Sequence, residues 1–131
     1  MSKLRHIALS VADAEATAQF YEKAFGMERV LDEPAPMVHA IMLSDGVVNL
    51  AILNFKNDVL AGAQGKDYVG IHHLGFQVDD LDDTQARIEG NGGSFCGELP
   101  TARGEKNYEM KFLDPNGVMI DISQTGWTGT E

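Results

Sequence analysis

The sequence predicts an α+β fold: two βαβββ modules that together form a curved, eight-stranded half-barrel. Three observations predict it. "RHIALSVAD" and "HHLGFQVDD" superpose with a constant shift of 67 residues, which sets His6 on His73 and Asp13 on Asp80. Each of these stretches alternates apolar and polar residues, as a strand with one buried face does. Each is followed by a helix-like segment and then by three further strand-like runs. A repeat of this length is one supersecondary unit that must pair with its copy to bury a core.

The elements follow in order. In the first strand His6, Ala8 and Ser10 form one face and Ile7, Leu9 and Val11 the other. Asp13 is placed to cap the first helix, about 14–25, by accepting backbone N–H bonds from its first turn. Ala16, Phe20 and Ala24, with Tyr21 and Phe25 beside them, form the apolar stripe expected to face the core. Gly26 is a suitable C-cap. Strands then lie near "ERVLDE", "MVHAIMLS" and "VVNLAILNF". A polar, glycine-bearing stretch at about 56–70 reads as a linker between modules of about 1–56 and 70–126.

In the second module His73, Gly75 and Gln77 oppose Leu74, Phe76 and Val78. Asp80 caps a helix at about 81–90 whose large apolar residues are Leu81 and Ile88. Strands near "SFCGEL", "YEMKFLD" and "VMIDISQ" complete the repeat. "SDG" and "DPNG" separate the last two strands of each half, and both are hairpin turn signals.

Composition narrows the function. At 131 residues and 44% hydrophobic content, the chain is one globular domain with a real core. The net charge of −10 argues against nucleic acid and against anionic membranes, and its plain reading is solubility. The single cysteine, Cys96, excludes an intramolecular disulfide framework and a cysteine-rich zinc cluster; beside Phe95 it reads as a small buried hydrophobe. "MSKLRHIALS" has no signal-type apolar run, so the expected compartment is the cytoplasm.

Strand parity gathers polar groups on one side of the sheet. Asn49 and Ala51 share a face opposed to Val48, Leu50 and Ile52. Glu109 and Lys111 oppose Tyr108, Met110 and Phe112, and Asp121 opposes Ile120 and Ile122. His6, His73, Glu109 and Asp121 therefore come to the concave side, where a small-molecule site would form. Two imidazoles and a carboxylate are what a divalent metal accepts, and two histidines with one carboxylate suit a non-haem iron site. The competing reading of Asp121 is a salt bridge to Lys111 or Arg103. His72 points to the other face and reads as structural, and His39 as a partly exposed strand residue. Glu109 is a candidate general base near the metal, with an ion pair to Lys111 as its alternative. Tyr108 and Trp127 could flank a ligand pocket, although Trp127 also reads as an anchor for the tail.

"LRHIALSVAD", "FYEKAFGM", "GIHHLGFQVDD" and "FLDPNGVMIDI" together resemble the vicinal-oxygen-chelate superfamily from end to end. That group includes glyoxalase I, methylmalonyl-CoA epimerase, bleomycin-resistance and fosfomycin-resistance proteins, and extradiol dioxygenases. The resemblance implies a cupped sheet whose metal ligands come from the first and last strands of each module. By position these are His6, His73 and Asp121, with Asp121 where the family usually has glutamate. The fourth place, often glutamate or glutamine, falls on Ala51, with Asn49 two residues away. The resemblance thus implies a divalent metal (Fe, Mn, Ni or Zn) in an open three-ligand site, and strand parity sets Glu109 beside it as the candidate catalytic base. Asn49, Ala51, Gln77 and Tyr108 would lie against the substrate. It implies lyase, isomerase or ring-cleaving dioxygenase chemistry on a small oxygenated metabolite, and homodimers. The alternative it leaves is a metal-free ligand binder of the bleomycin-resistance type.

Overall fold

A computed structural model describes residues 1–98 and 103–130. Its strands are β1 (Lys3–Ser10), β2 (Glu28–Pro34), β3 (Val38–Ser44), β4 (Asn49–Phe55), β5 (Gly70–Gln77), β6 (Ser94–Glu98), β7 (Met110–Leu113) and β8 (Met119–Ser123). The helices are α1 (Ala14–Phe25) and α2 (Leu81–Gly90). The eight strands make one mixed sheet in the order β2-β3-β4-β1-β5-β8-β7-β6. The α+β class and the βαβββ order of each half are as the repeat predicts. The linker holds one 3-10 turn, Gly62–Gln64. No described helix is long and apolar enough to cross a membrane.

The chain divides into two compact units that do not coincide with the repeats. One comprises Met1–His6 with His73–Trp127, and the other Ile7–His72 with the residues from Thr128 on. His6 therefore shares a unit with the second module.

In the unit of Ile7–His72, α1 starts at Asp13, whose carboxylate accepts from the Ala16 amide at 3.0 Å, and ends at left-handed Gly26. The helix covers β3 and β4 through a core of Val11, Ala14, Ala18, Ile41, Leu43 and Ile52. This corrects the expected stripe. Ala16 and Ala24 are exposed, as are Phe20 and Phe25, while Ala14, Ala18 and half-buried Tyr21 face the sheet. Both sets satisfy helical spacing. The helix turns its small alanines to the sheet, where they allow close approach, and leaves Phe20, Tyr21 and Phe25 packed on one another.

In the other unit Asp80 caps α2 through the Asp83 amide at 2.9 Å. Leu81, with Ile88 beside it, packs on Val78, Tyr108, Met110, Phe112 and Ile122. Strand β7 is shorter than "YEMKFLD" suggests: it begins at Met110, three residues after Asn107, whose backbone is left-handed (φ 67°). Strand β6 is described as far as Glu98, and Leu99 of the expected "SFCGEL" lies outside the described residues. The register of β6 on β7 slips between Phe95 and Gly97, so the bulge holds Cys96. Cys96 is exposed, not buried as expected, because a bulge on an end strand has no cover. Phe112, fully buried and in edge contact with Phe95 at 5.6 Å, anchors this core. Phe112→Ala should cost about 3–5 kcal/mol, read as a lowered denaturant midpoint at unchanged m-value.

Candidate metal centre

The unit of Met1–His6 and His73–Trp127 contains four ligand-type side chains in one place. Strand β8 runs parallel to β5 and antiparallel to β7, with Asp121 paired to Gly75 on one side and Lys111 on the other. Neighbouring residues across a ladder present side chains to the same face. Asp121 therefore has a lysine as one neighbour and open space as the other. That space is filled by His6 and Trp127. A Cβ on Gly75 would lie 2.7 Å from His6 Cβ and 2.8 Å from two Trp127 ring carbons. The lack of a side chain at Gly75 is thus a packing requirement of the site.

His6 Nε2 lies 3.2 Å from His73 Nε2, and His73 Nε2 lies 3.1 Å from Asp121 Oδ2. Glu109 Oε2 is 3.7 Å from His6 Nε2. One ligand atom from each of the four residues lies within 4.8 Å of the other three. That span is comparable to the separations set by metal–ligand bonds of about 2.1 Å. Two imidazoles and two carboxylates are a donor set that Zn, Ni, Mn and Fe all accept. The residues fit a divalent ion. Facing imidazole nitrogens need something between them: a single shared proton, or a cation that takes both lone pairs.

The surroundings are nearly dry. His6, His73 and Asp121 are buried, and the Glu109 side chain keeps 12% of its surface. Burial, followed by the negative charge of neighbouring Asp121, pushes the Glu109 carboxyl up to about 7. Trp127 Nε1 donates to Glu109 Oε2 at 3.0 Å, and the indole stacks on His6 with centroids 4.7 Å apart. Lys111 Nζ contacts both oxygens of Asp121, at 3.0 and 3.2 Å. Burial pulls the Lys111 ammonium down, but the Asp121 and Glu109 carboxylates together hold it above its ordinary value. Asp121 therefore makes the Lys111 salt bridge that its sequence context allowed and also lies against the His73 imidazole.

The other expected site residues are placed as follows. Tyr108 lies in the core under α2 with its hydroxyl donated to Glu98. Gln77 Nε2 donates to the Gln124 carbonyl at 3.3 Å. In the other unit Asn49 is fully buried and its amide donates to the Thr128 carbonyl at 2.9 Å. Ala51 pairs with Met42 in the sheet and has only a methyl to offer. His72 Nε2 meets the Ala61 carbonyl at 2.6 Å, and His39 Nε2 meets Asp32 at 2.7 Å, so both are structural. Sequence reasoning underrated Trp127 and Lys111 as members of the site. The parity that placed Glu109 and Asp121 inward also placed Lys111 there.

Two outcomes are expected. In the metal-free protein, a Glu109 carboxyl titrating near 7 when folded and near 4.5 when unfolded binds more protons in the native state. Stability then falls as pH rises from about 4.5 to 7, by roughly 3 kcal/mol at most. Urea titrations across that window should show the slope in wild type and a flatter one in Glu109→Gln. Gly75→Ala should displace His6 and Trp127, with at least tenfold weaker metal binding by calorimetry.

Three comparisons place the chain. The family model described as the Glyoxalase/Bleomycin resistance protein/Dioxygenase superfamily matches residues 3–122. The ethylmalonyl-CoA/methylmalonyl-CoA epimerase of Cereibacter sphaeroides is 27% identical over 132 residues, covering 95% of this chain and 98% of that protein. The lactoylglutathione lyase of Schizosaccharomyces pombe is 24% identical, covering 92% of this chain but 46% of that protein. Among solved structures, a Streptomyces coelicolor methylmalonyl-CoA epimerase variant with 2-nitronate-propionyl-CoA is similar at TM-score 0.72 and 22% identity, covering 92% of each chain. The epimerase of Mycobacterium tuberculosis is similar at TM-score 0.68 and 24% identity, covering 91% of this chain and 85% of that one. These structures share its fold. With nearly the whole sequence matched by one family model, the chain belongs to the Glyoxalase/Bleomycin resistance protein/Dioxygenase superfamily.

Proposed function

We propose that the protein is a metal-dependent isomerase or lyase that moves a proton on the carbon next to a carbonyl of a small oxygenated substrate. The observation that carries this reading is the buried quartet of His6, His73, Glu109 and Asp121. In it one carboxyl, that of Glu109, is held near neutrality at the edge of solvent. His6, His73 and Asp121 hold the ion, with Fe, Mn, Ni and Zn as the candidates. The bound ion supplies Lewis acidity that polarises the carbonyl.

Glu109 is the group that takes the carbon-bound proton and gives it back. Burial raises this carboxyl in the metal-free centre, and a carboxyl so raised is a stronger base than an ordinary one and still returns its proton readily. The Trp127 N–H fixes which way that carboxyl points. Glu109 stands at the edge of solvent, so the proton it takes can exchange with water before it is returned. The Cereibacter sphaeroides relative, named for CoA thioesters, supports a thioester as substrate, since a thioester carbonyl acidifies the carbon beside it. Exposed Phe20 and Phe25 and the two end strands support pairing of two copies, which light scattering would read as twice the chain mass.

One observation favours the metal-free binder instead: Lys111 already neutralises Asp121 without an ion. The two readings separate in one experiment. Purified protein is titrated calorimetrically with Mn(II), Ni(II), Zn(II) and, anaerobically, Fe(II), for wild type and His73→Ala. Wild type should bind and the variant should lose at least tenfold in affinity. Deuterium exchange at the α-carbon of methylmalonyl-CoA, followed by NMR, should then fall at least a hundredfold in Glu109→Gln. Absence of metal binding by wild type would leave the binder reading in front.

A further inference from the structure

The Lys111–Asp121 pair has a consequence for the metal that goes beyond the ligand set, and it rests on the reading that the centre binds one. We propose that Lys111 is a specificity-determining counter-ion. It competes with the metal for the Asp121 carboxylate and so biases the centre toward ions that prefer imidazole nitrogen over carboxylate oxygen.

The argument starts from register. Lys111 and Asp121 are direct partners across β7 and β8, so their proximity is fixed by the ladder and not by a chance rotamer. The ammonium contacts both carboxylate oxygens. Its shorter contact, 3.0 Å, is to Oδ2, the same oxygen that lies 3.1 Å from His73 Nε2. One carboxylate oxygen, Oδ2, thus serves both the ammonium and the His73 imidazole. Asp121 is fully buried, so water cannot take over from either partner.

A divalent ion entering this centre must share Oδ2 with a resident positive charge. The Lys111 ammonium donates to the carboxylate, so the arm of the centre that it acts on is the oxygen one. The carboxylate arm is thus devalued relative to the imidazole arm. Ions whose affinity comes mainly from oxygen, such as Mn(II), lose more by this than ions with strong nitrogen affinity, such as Ni(II).

The test is calorimetric titration of Mn(II) and Ni(II) into wild type, Lys111→Gln and Lys111→Arg, each checked for native circular dichroism. Glutamine retains a hydrogen bond to Asp121 without the charge, and should tighten Mn(II) at least tenfold and Ni(II) by clearly less. Arginine keeps the charge and engages both carboxylate oxygens with a fixed fork. It should weaken Mn(II) several-fold, and this arm stands even if the glutamine variant does not fold. Unchanged Mn(II) affinity in either folded variant, or equal tightening of both ions in Lys111→Gln, would overturn the inference while leaving the metal centre itself intact. No binding of either ion by wild type or the variants would overturn both together.

Discussion

The centre of this molecule depends on a carboxylate that has no access to water. A buried carboxylate is strongly unfavourable unless other groups replace its solvation. Asp121 obtains that replacement from two strands at once, an ammonium on β7 and an imidazole on β5. The parallel pairing on one side and the antiparallel pairing on the other fix which residues those are. A slip of one position in either ladder would turn the partner to the opposite face and leave the charge alone. The register of three strands and the electrostatics of the site are therefore one constraint.

That coupling explains why so much of the site could be read from sequence. Alternation has a period of two, and the repeat supplied its phase twice. His6, His73, Glu109 and Asp121 followed from counting, as did both helices and their aspartate caps. The turns followed too: Asp45 and Asp114 each accept two backbone amides, from Val47 and Val48 and from Asn116 and Val118. Repeat and hydrogen-bond chemistry agree at each of these points.

The misses have equally specific causes. Two apolar stripes on α1 satisfy helical spacing, and spacing alone does not say that the alanines of Ala14 and Ala18 win over Phe20 and Phe25. A lone thiol beside Phe95 reads as buried, but Cys96 lies in a bulge of an end strand, for which the sequence has no mark as clear as proline. Trp127 follows the last strand, where alternation has ended. Its place against His6 depends on Gly75 being bare, a relation between residues far apart in the chain. Tyr108, in the core under α2, obeys the parity that opposes it to Glu109.

Trp127 carries one more consequence. It is the only tryptophan in the sequence, and its ring lies flat on His6, with 3° between the planes. Nearly all the ultraviolet emission of the protein therefore originates in contact with one imidazole of the centre. Any change in the electronic state of that imidazole alters the environment of the excited indole directly. The molecule thus contains its own optical probe, stacked on a residue of the candidate centre and needing no label.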